Sequence, residues 1–107
     1  MKRNPFCVVL VTASSRKEAR VIARAVLKAK LAACVNIVPG VESHYWWQGK
    51  LETGRECLLV IKSARRQFRR LSAVVKKAHS YSTPEIIAFP VVESERAYAR
   101  WWRDSMT

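Results

Sequence analysis

The chain has 107 residues, with twenty Lys and Arg against eight Asp and Glu and a formal net charge of +12. Half of the residues are hydrophobic, which excludes a disordered tail, and no apolar run approaches the ~20 residues that span a bilayer. The length predicts a single domain over residues 1–107, and the charge favours non-specific contact with polyanions.

The N-terminus and the cysteines bear on the cellular compartment. The N-terminus over residues 1–5 is basic, but the apolar stretch that follows covers only residues 6–11, with no cleavage site after it, so we predict no signal peptide. The chain has three cysteines, Cys7, Cys34 and Cys57. An odd number of cysteines at such wide spacing fits neither a disulfide framework nor a zinc site. We therefore expect reduced thiols, mostly buried in strands, and a cytoplasmic protein.

The first third of the chain predicts a strand and a helix. Residues 6–12 are apolar and β-branched, which is typical of a strand buried on both faces. Ser15 followed by Glu18 is a capping box. Apolar residues at helical spacing then predict a helix over about 15–30.

A long hairpin is predicted over residues 33–62. In the first arm, successive side chains lie on alternate faces of the predicted strand, and a turn follows at 48–50. The returning strand ends in a run of apolar residues. The Pro-Gly pair at 39–40 predicts a bend or bulge in the first arm.

The last part of the chain predicts a helix, a strand and a second helix. Ser63 is the predicted N-cap of a helix with apolar residues at three- and four-residue steps. Residues 85–92 predict a fourth strand, and Ser94 is the predicted cap of a C-terminal helix. The apolar side of that helix is predicted to hold Ala97, Tyr98 and Trp101.

The element order indicates both the fold and an oligomer. The order β-α-β-β-α-β with a C-terminal helix predicts an α+β, ferredoxin-like sandwich. A strand over 51–62 spans ~40 Å, whereas a globule of this length is roughly 35 Å across. The hairpin tip, with Tyr45, Trp46 and Trp47, is therefore expected to overhang the body and to be covered by a partner subunit.

Several separate motifs in order resemble one known family. They are Leu-Ala-Ala-Cys-Val-Asn-Ile-Val-Pro-Gly-Val at 31–41, Ser-x-Tyr-x-Trp-x-Gly-Lys at 43–50, Glu56, Lys62, Tyr81, Thr-Pro-Glu-Ile-Ile at 83–87, Pro-Val at 90–91 and Tyr-x-x-Trp at 98–101. This set is similar to the CutA family of divalent-cation tolerance proteins. The resemblance implies a homotrimer of ferredoxin-like subunits that is linked to tolerance of divalent cations, copper especially, with no catalytic activity evident.

The resemblance also bears on copper. Bacterial members credited with copper binding use a Cys on the first strand and two adjacent His, and the matching positions here are Val11, Ala78 and His79. The remaining metal candidates are His79 and Cys34, whose thiolate would suit Cu(I). With two ligands lost, we expect weak copper binding.

A second set of candidates is polar. The resemblance places Glu56, Lys62, Tyr81, Glu85 and Trp47 near clefts between subunits. A carboxylate, an ammonium and a phenol suit a small anion or a polar metabolite. The alternative is an interface ion-pair network without a ligand.

Three functions therefore remain open. The first is a non-enzymatic trimer concerned with divalent metal tolerance, and the second is a sensor that binds a small ligand between subunits. The third is a nucleic-acid-binding ferredoxin-like domain. RNA-recognition modules stack bases on sheet aromatics within a Lys/Arg-Gly-aromatic motif. The returning strand at 56–61 carries no such motif, and the basic residues lie on the predicted helices.

Overall fold

Four strands and three α-helices follow one another in the predicted order. The computed structural model describes residues 4–107, so Lys2 and Arg3, which make the N-terminus basic, lie outside the described part. The elements are β1 (Phe6–Ala13), α1 (Arg16–Lys28), β2 (Cys34–Trp47), β3 (Lys50–Ala64), a 3₁₀ turn (Arg65–Gln67), α2 (Phe68–Ala78), β4 (Ile86–Pro90) and α3 (Arg96–Ser105).

The strands form one antiparallel sheet in the order β2-β3-β1-β4. In β1 and β3, Val9 lies opposite Ile61 and Val11 lies opposite Leu59. This order and the two crossover helices make the ferredoxin-like α+β fold, as predicted. No helix within residues 4–107 is long and apolar enough to cross a bilayer.

The core lies between one face of the sheet and helices α1 and α2. Odd-numbered residues of β1 and β3 point to this face because side chains alternate along a strand. They pack against helix residues spaced three and four apart, and burying each large side chain contributes about 1.5–3 kcal/mol. The fully buried members are Val9, Val11, Leu59 and Ile61 from the sheet and Ile22, Val26, Leu71 and Val75 from the helices.

The opposite face of the sheet, which we call the open face, is covered at one end. There Trp102 of α3 stacks on Phe6 with ring centroids 4.5 Å apart, and its indole N–H donates to the Ser63 carbonyl at 3.1 Å. Beyond that contact the open face is apolar but partly exposed. Phe89 is 51% exposed and Ile87 is 45% exposed.

The hairpin of β2 and β3 extends past the body, as predicted. Its turn at Gln48 and Gly49 has φ of 49° and 78°, a pair of left-handed residues that suits a two-residue hairpin turn. The register shifts between Val38 and Val41, which confirms the predicted bulge at 39–40. The described part of the chain measures 45 × 28 × 23 Å.

Three local predictions are wrong. Ser63 does not cap α2, because β3 continues to Ala64 opposite Phe6, and the buried Ser63 hydroxyl donates to the Leu31 carbonyl at 2.7 Å. Ser94 does not cap α3; the Glu95 carboxylate accepts from the backbone N–H of Tyr98 at 2.9 Å. The buried residue of α3 is Trp102, whereas Tyr98 and Trp101 are more than 40% exposed.

Candidate functional site

Five polar side chains meet at the end of the sheet where β1 stops and β4 starts. They come from α1, from β3 and from the loop between α2 and β4. We call them the sheet-end cluster: Glu18, Glu56, His79, Tyr81 and Glu85.

Two carboxylates and a phenol form the outer part of this cluster. The Tyr81 hydroxyl donates to Glu56 Oε2 at 2.8 Å. Burial raises the pKa of Tyr81, and the hydrogen bond to Glu56 raises it further, so the phenol stays protonated. Partial burial, followed by the negative charge of Glu56, raises the pKa of Glu85. Glu85 therefore lies near enough to Glu56 for their negative charges to repel, and a cation bound beside them would relieve that repulsion.

The inner part of the cluster is a fully buried imidazole. His79 Nε2 lies 2.7 Å from the Thr12 carbonyl oxygen, and Nδ1 lies 3.1 Å from the backbone nitrogen of Tyr81. A carbonyl only accepts and a backbone N–H only donates, so Nε2 carries the proton and Nδ1 is the acceptor. The ring is therefore neutral, and both nitrogens are in use.

Glu18 ties the start of α1 to the loop that holds His79 and Tyr81. Ser15 Oγ accepts from the Glu18 N–H at 3.1 Å, which is one half of the predicted capping box. The Glu18 carboxylate accepts from the N–H and the hydroxyl of Ser14, both at 2.9 Å, and from the N–H of Ser80 at 2.6 Å. Burial opposes ionisation most strongly, but these bonds outweigh it and lower the pKa of Glu18 to about 2.

The depressed pKa of Glu18 predicts an acid-sensitive fold. The usual value is near 4.5, so the stabilisation is complete above that pH and is lost as the pH falls towards 2. We expect Glu18→Gln to lower the free energy of unfolding at neutral pH by up to about 3 kcal/mol and to flatten this dependence. Urea denaturation across this pH range measures both effects. A Glu52→Gln variant, altered on the exposed hairpin, should keep the acid dependence; if Glu18→Gln keeps it too, the expectation is wrong.

The five cleft candidates occupy three separate places. Glu56, Tyr81 and Glu85 come together in the sheet-end cluster. Lys62 lies six residues along β3, ~20 Å away, where its ammonium hydrogen-bonds the Asn36 side chain. Trp47 lies at the hairpin tip, 48% exposed.

Two members of the cluster were not predicted as cleft residues. Glu18 was interpreted only as a helix cap, and His79 only as a metal candidate. Their partners are distant in sequence, since Ser80 is 62 residues from Glu18 and Thr12 is 67 residues from His79. Local pattern carried no signal for these pairings.

Comparison with known proteins agrees with the fold. A family model described as "CutA1 divalent ion tolerance protein" matches residues 7–105. The chain belongs to this family.

Relatives in the CutA1 family are similar over nearly their full length. The divalent-cation tolerance protein CutA of Thermus thermophilus is 46% identical over 98 residues, which are 92% of this chain and 95% of that protein. A solved Cut A1 structure from the same organism has a TM-score of 0.91 at 45% identity, covering 94% of this chain and 97% of that one. A structure titled "Periplasmic divalent cation tolerance protein CutA", from Archaeoglobus fulgidus, has a TM-score of 0.92 at 36% identity, covering 95% and 99%.

Copper, which the CutA resemblance suggested, does not fit the donors that the single chain brings together. His79 has no free nitrogen. Cys34 lies opposite Lys62, and Thr12 lies opposite Leu58, so the thiol is ~13 Å along the sheet from the imidazole. Val11 is fully buried and offers no donor atom. Across residues 4–107, no group of three His, Cys, Asp or Glu side chains is placed to hold a metal ion.

Proposed function

We propose that the chain forms a cytoplasmic homotrimer that binds a divalent cation at a subunit boundary and takes part in divalent-cation tolerance without catalysing a reaction. The observation that carries the proposal is the meeting of oxygen donors in the sheet-end cluster, where the Tyr81 hydroxyl donates to Glu56 Oε2 at 2.8 Å and Glu85 lies near the same carboxylate. Membership of the CutA1 family supports the link to divalent cations.

The trimer is supported by two uncovered surfaces. The open face exposes Ile87 and Phe89 beside the half-buried Val8, Leu10 and Val60, a contiguous apolar surface that is costly to leave in water. The overhanging hairpin exposes further apolar side chains. A partner packed on the open face would cover both the strands and the aromatic residues on that side of the hairpin.

The cation is supported by the chemistry of the donors. Glu56, Glu85 and the Tyr81 hydroxyl offer oxygen atoms, which suit Mg²⁺, Ca²⁺ or Mn²⁺ better than soft copper(I). Such ions take six or more oxygen ligands, so water or an adjoining subunit must supply the rest. The sheet-end cluster lies at the edge of the open face, where a neighbouring subunit would approach.

A small-ligand sensor is the second candidate, and a cavity favours it. The cavity has a volume of about 350 Å³, within the range of small-molecule sites. It lies beside the cluster and is lined by Ser14, Arg16, Pro39, Gly40, Arg55, Glu56 and Cys57. Its two guanidinium groups suit an anionic group on the ligand.

A thermal-shift experiment separates the cation site from the alternatives. We expect Mn²⁺ or Mg²⁺ to raise the melting temperature of the native protein, by an amount equivalent to about 2.7 kcal/mol at a hundredfold excess over Kd. The Glu85→Gln variant should show no rise, because it removes one of the two paired carboxylates. Glu93→Gln, changed at an exposed position outside the cluster, should respond like the unaltered protein.

Each result of this experiment has a consequence. An equal rise in all three proteins would place the cation elsewhere, and no rise in any of them would refute the cation site. A rise produced by small anionic metabolites and abolished by Arg55→Ala would favour the sensor.

A further inference from the structure

Nearly all of the net charge lies on one layer of the molecule. Residues 16–30 and 65–78, which contain α1, the 3₁₀ turn and α2, hold twelve of the twenty Lys and Arg but one of the eight carboxylates. We call their exposed surface the helical face. Its cations are all exposed: Arg16, Lys17, Arg20, Arg24, Lys28, Lys30, Arg65, Arg66, Arg69, Arg70, Lys76 and Lys77.

This charge is not neutralised within the subunit. In the part of the chain that the structure describes, no Lys or Arg nitrogen lies within 4.0 Å of a carboxylate oxygen. The one carboxylate of the layer, Glu18, is engaged by Ser14 and Ser80. Crowded like charges repel one another in the folded state, and a polyanion relieves that repulsion while releasing its own counterions.

We propose that the helical face binds the phosphate backbone of double-stranded nucleic acid without reading its sequence. Along α1, Arg16, Arg20, Arg24 and Lys28 repeat every four residues and form a row ~18 Å long. A duplex presents one phosphate charge per ~1.7 Å of axis, hence about ten over that length. The cations of α2 run alongside, since packed helices lie ~8–10 Å apart.

The side chains of this surface favour a duplex over a single strand. Single strands are held largely by stacking of bases on aromatic rings, whereas duplex backbones require only cations. Among the described residues of the two helices, the one aromatic is Phe68, which packs against the core. The exposed aromatic of the open face, Phe89, lies on the other side of the sheet from these cations, on the surface that we assign to subunit contacts.

The surface remains available in the assembly proposed above. The helices cover one side of the sheet, and the open face that we assign to subunit contacts is the other side. A trimer packed through its open faces would present three helical faces outwards, each available to a duplex. The inference is independent of the cation site in the sheet-end cluster.

Fluorescence anisotropy with labelled duplex DNA tests the inference. We expect the unaltered protein to bind two unrelated duplexes of about 24 base pairs equally, and to lose about 100-fold in affinity between roughly 50 and 200 mM NaCl if four phosphates are contacted. The double variant Arg20→Glu with Arg24→Glu should bind at least about 10-fold more weakly and show a shallower salt slope. Position 20 lies four residues after Arg16, and position 24 lies four residues before Lys28. Each introduced carboxylate therefore faces a cation one turn away, which is compatible with the helix.

The matched control changes the same charge on another surface. Arg100 and Arg103 are exposed on α3, and reversing both to Glu alters the net charge by the same amount. This control should stay within about threefold of the unaltered protein. An equal loss in the two double variants would mean that net charge alone attracts DNA and would overturn the assignment of the surface.

A competing occupant is an acidic polypeptide. Val21 and Leu27 lie with Ile37 in a groove of about 390 Å³ whose rim includes Lys17, Arg20 and Arg24. Poly-glutamate of matched charge should compete at least about 10-fold less well than unlabelled duplex. Equal competition, or no binding of duplex at low salt, would refute the proposal.

Discussion

Replacing Phe89 by Asp is expected to convert the proposed trimer into folded monomers. Phe89 is 51% exposed on the open face, opposite Val8, so the isolated subunit tolerates a carboxylate there. In a trimer packed on this face the same carboxylate would be buried without a partner. That penalty is several kcal/mol, and about 3 kcal/mol already weakens association more than 100-fold.

Light scattering at micromolar concentration measures the change. Val21→Asp is the matched control, because Val21 is 52% exposed but lies on α1, on the other side of the sheet. That variant should remain trimeric. A monomeric mass for the unaltered protein, or dissociation of both variants, would contradict the assigned face.

Trp47→Asp tests the hairpin separately. Trp47 lies on the same side of the hairpin as Tyr45, and we expect its replacement by a charge to dissociate or unfold the protein. A stable trimer would show that the hairpin contributes little to the interface.

The element order could be predicted because its signals are local. Each signal lies within a short window of sequence. These signals are the alternation of side chains along the hairpin, the helical spacing of apolar residues in α1 and α2, and the Pro-Gly pair at the bulge. The error at Ser63 has a non-local cause. β3 continues to Ala64 because Phe6, 58 residues earlier, pairs with it, and no nearby residue reports that pairing.

The site was predictable in part for a similar reason. The resemblance grouped Glu56, Tyr81 and Glu85, and these three do lie near one another because loop and strand meet at one end of the sheet; their place in a cleft between subunits stays a prediction. It also grouped Lys62 with them, although six residues of extended strand separate two side chains by ~20 Å. The roles of Glu18 and His79 depend on hydrogen bonds across more than 60 residues of chain, which motif spacing does not encode.

Replacing His79 by Ala is expected to destabilise the protein and to leave its copper(II) affinity unchanged. The imidazole is fully buried and hydrogen-bonded at both nitrogens, so its removal leaves the Thr12 carbonyl and the Tyr81 N–H without partners and opens a cavity. Each unsatisfied buried group costs about 1–3 kcal/mol, and we expect a total loss of about 3 kcal/mol. Copper affinity should not change, because binding at His79 would first require breaking one of these two bonds.

The second histidine of the chain supplies the control. The His44 side chain is 61% exposed, and its Nε2 lies 2.6 Å from Glu42 Oε2, so a carboxylate and an imidazole are both accessible to a metal ion. We expect His44→Ala to lower the weak surface binding of copper(II) while changing the free energy of unfolding by less than about 0.5 kcal/mol. Urea denaturation and calorimetric titration of both variants measure the two quantities. Submicromolar copper binding that disappears in His79→Ala would restore a metal site at the end of the sheet, and it would require that loop to open and release Nδ1 or Nε2.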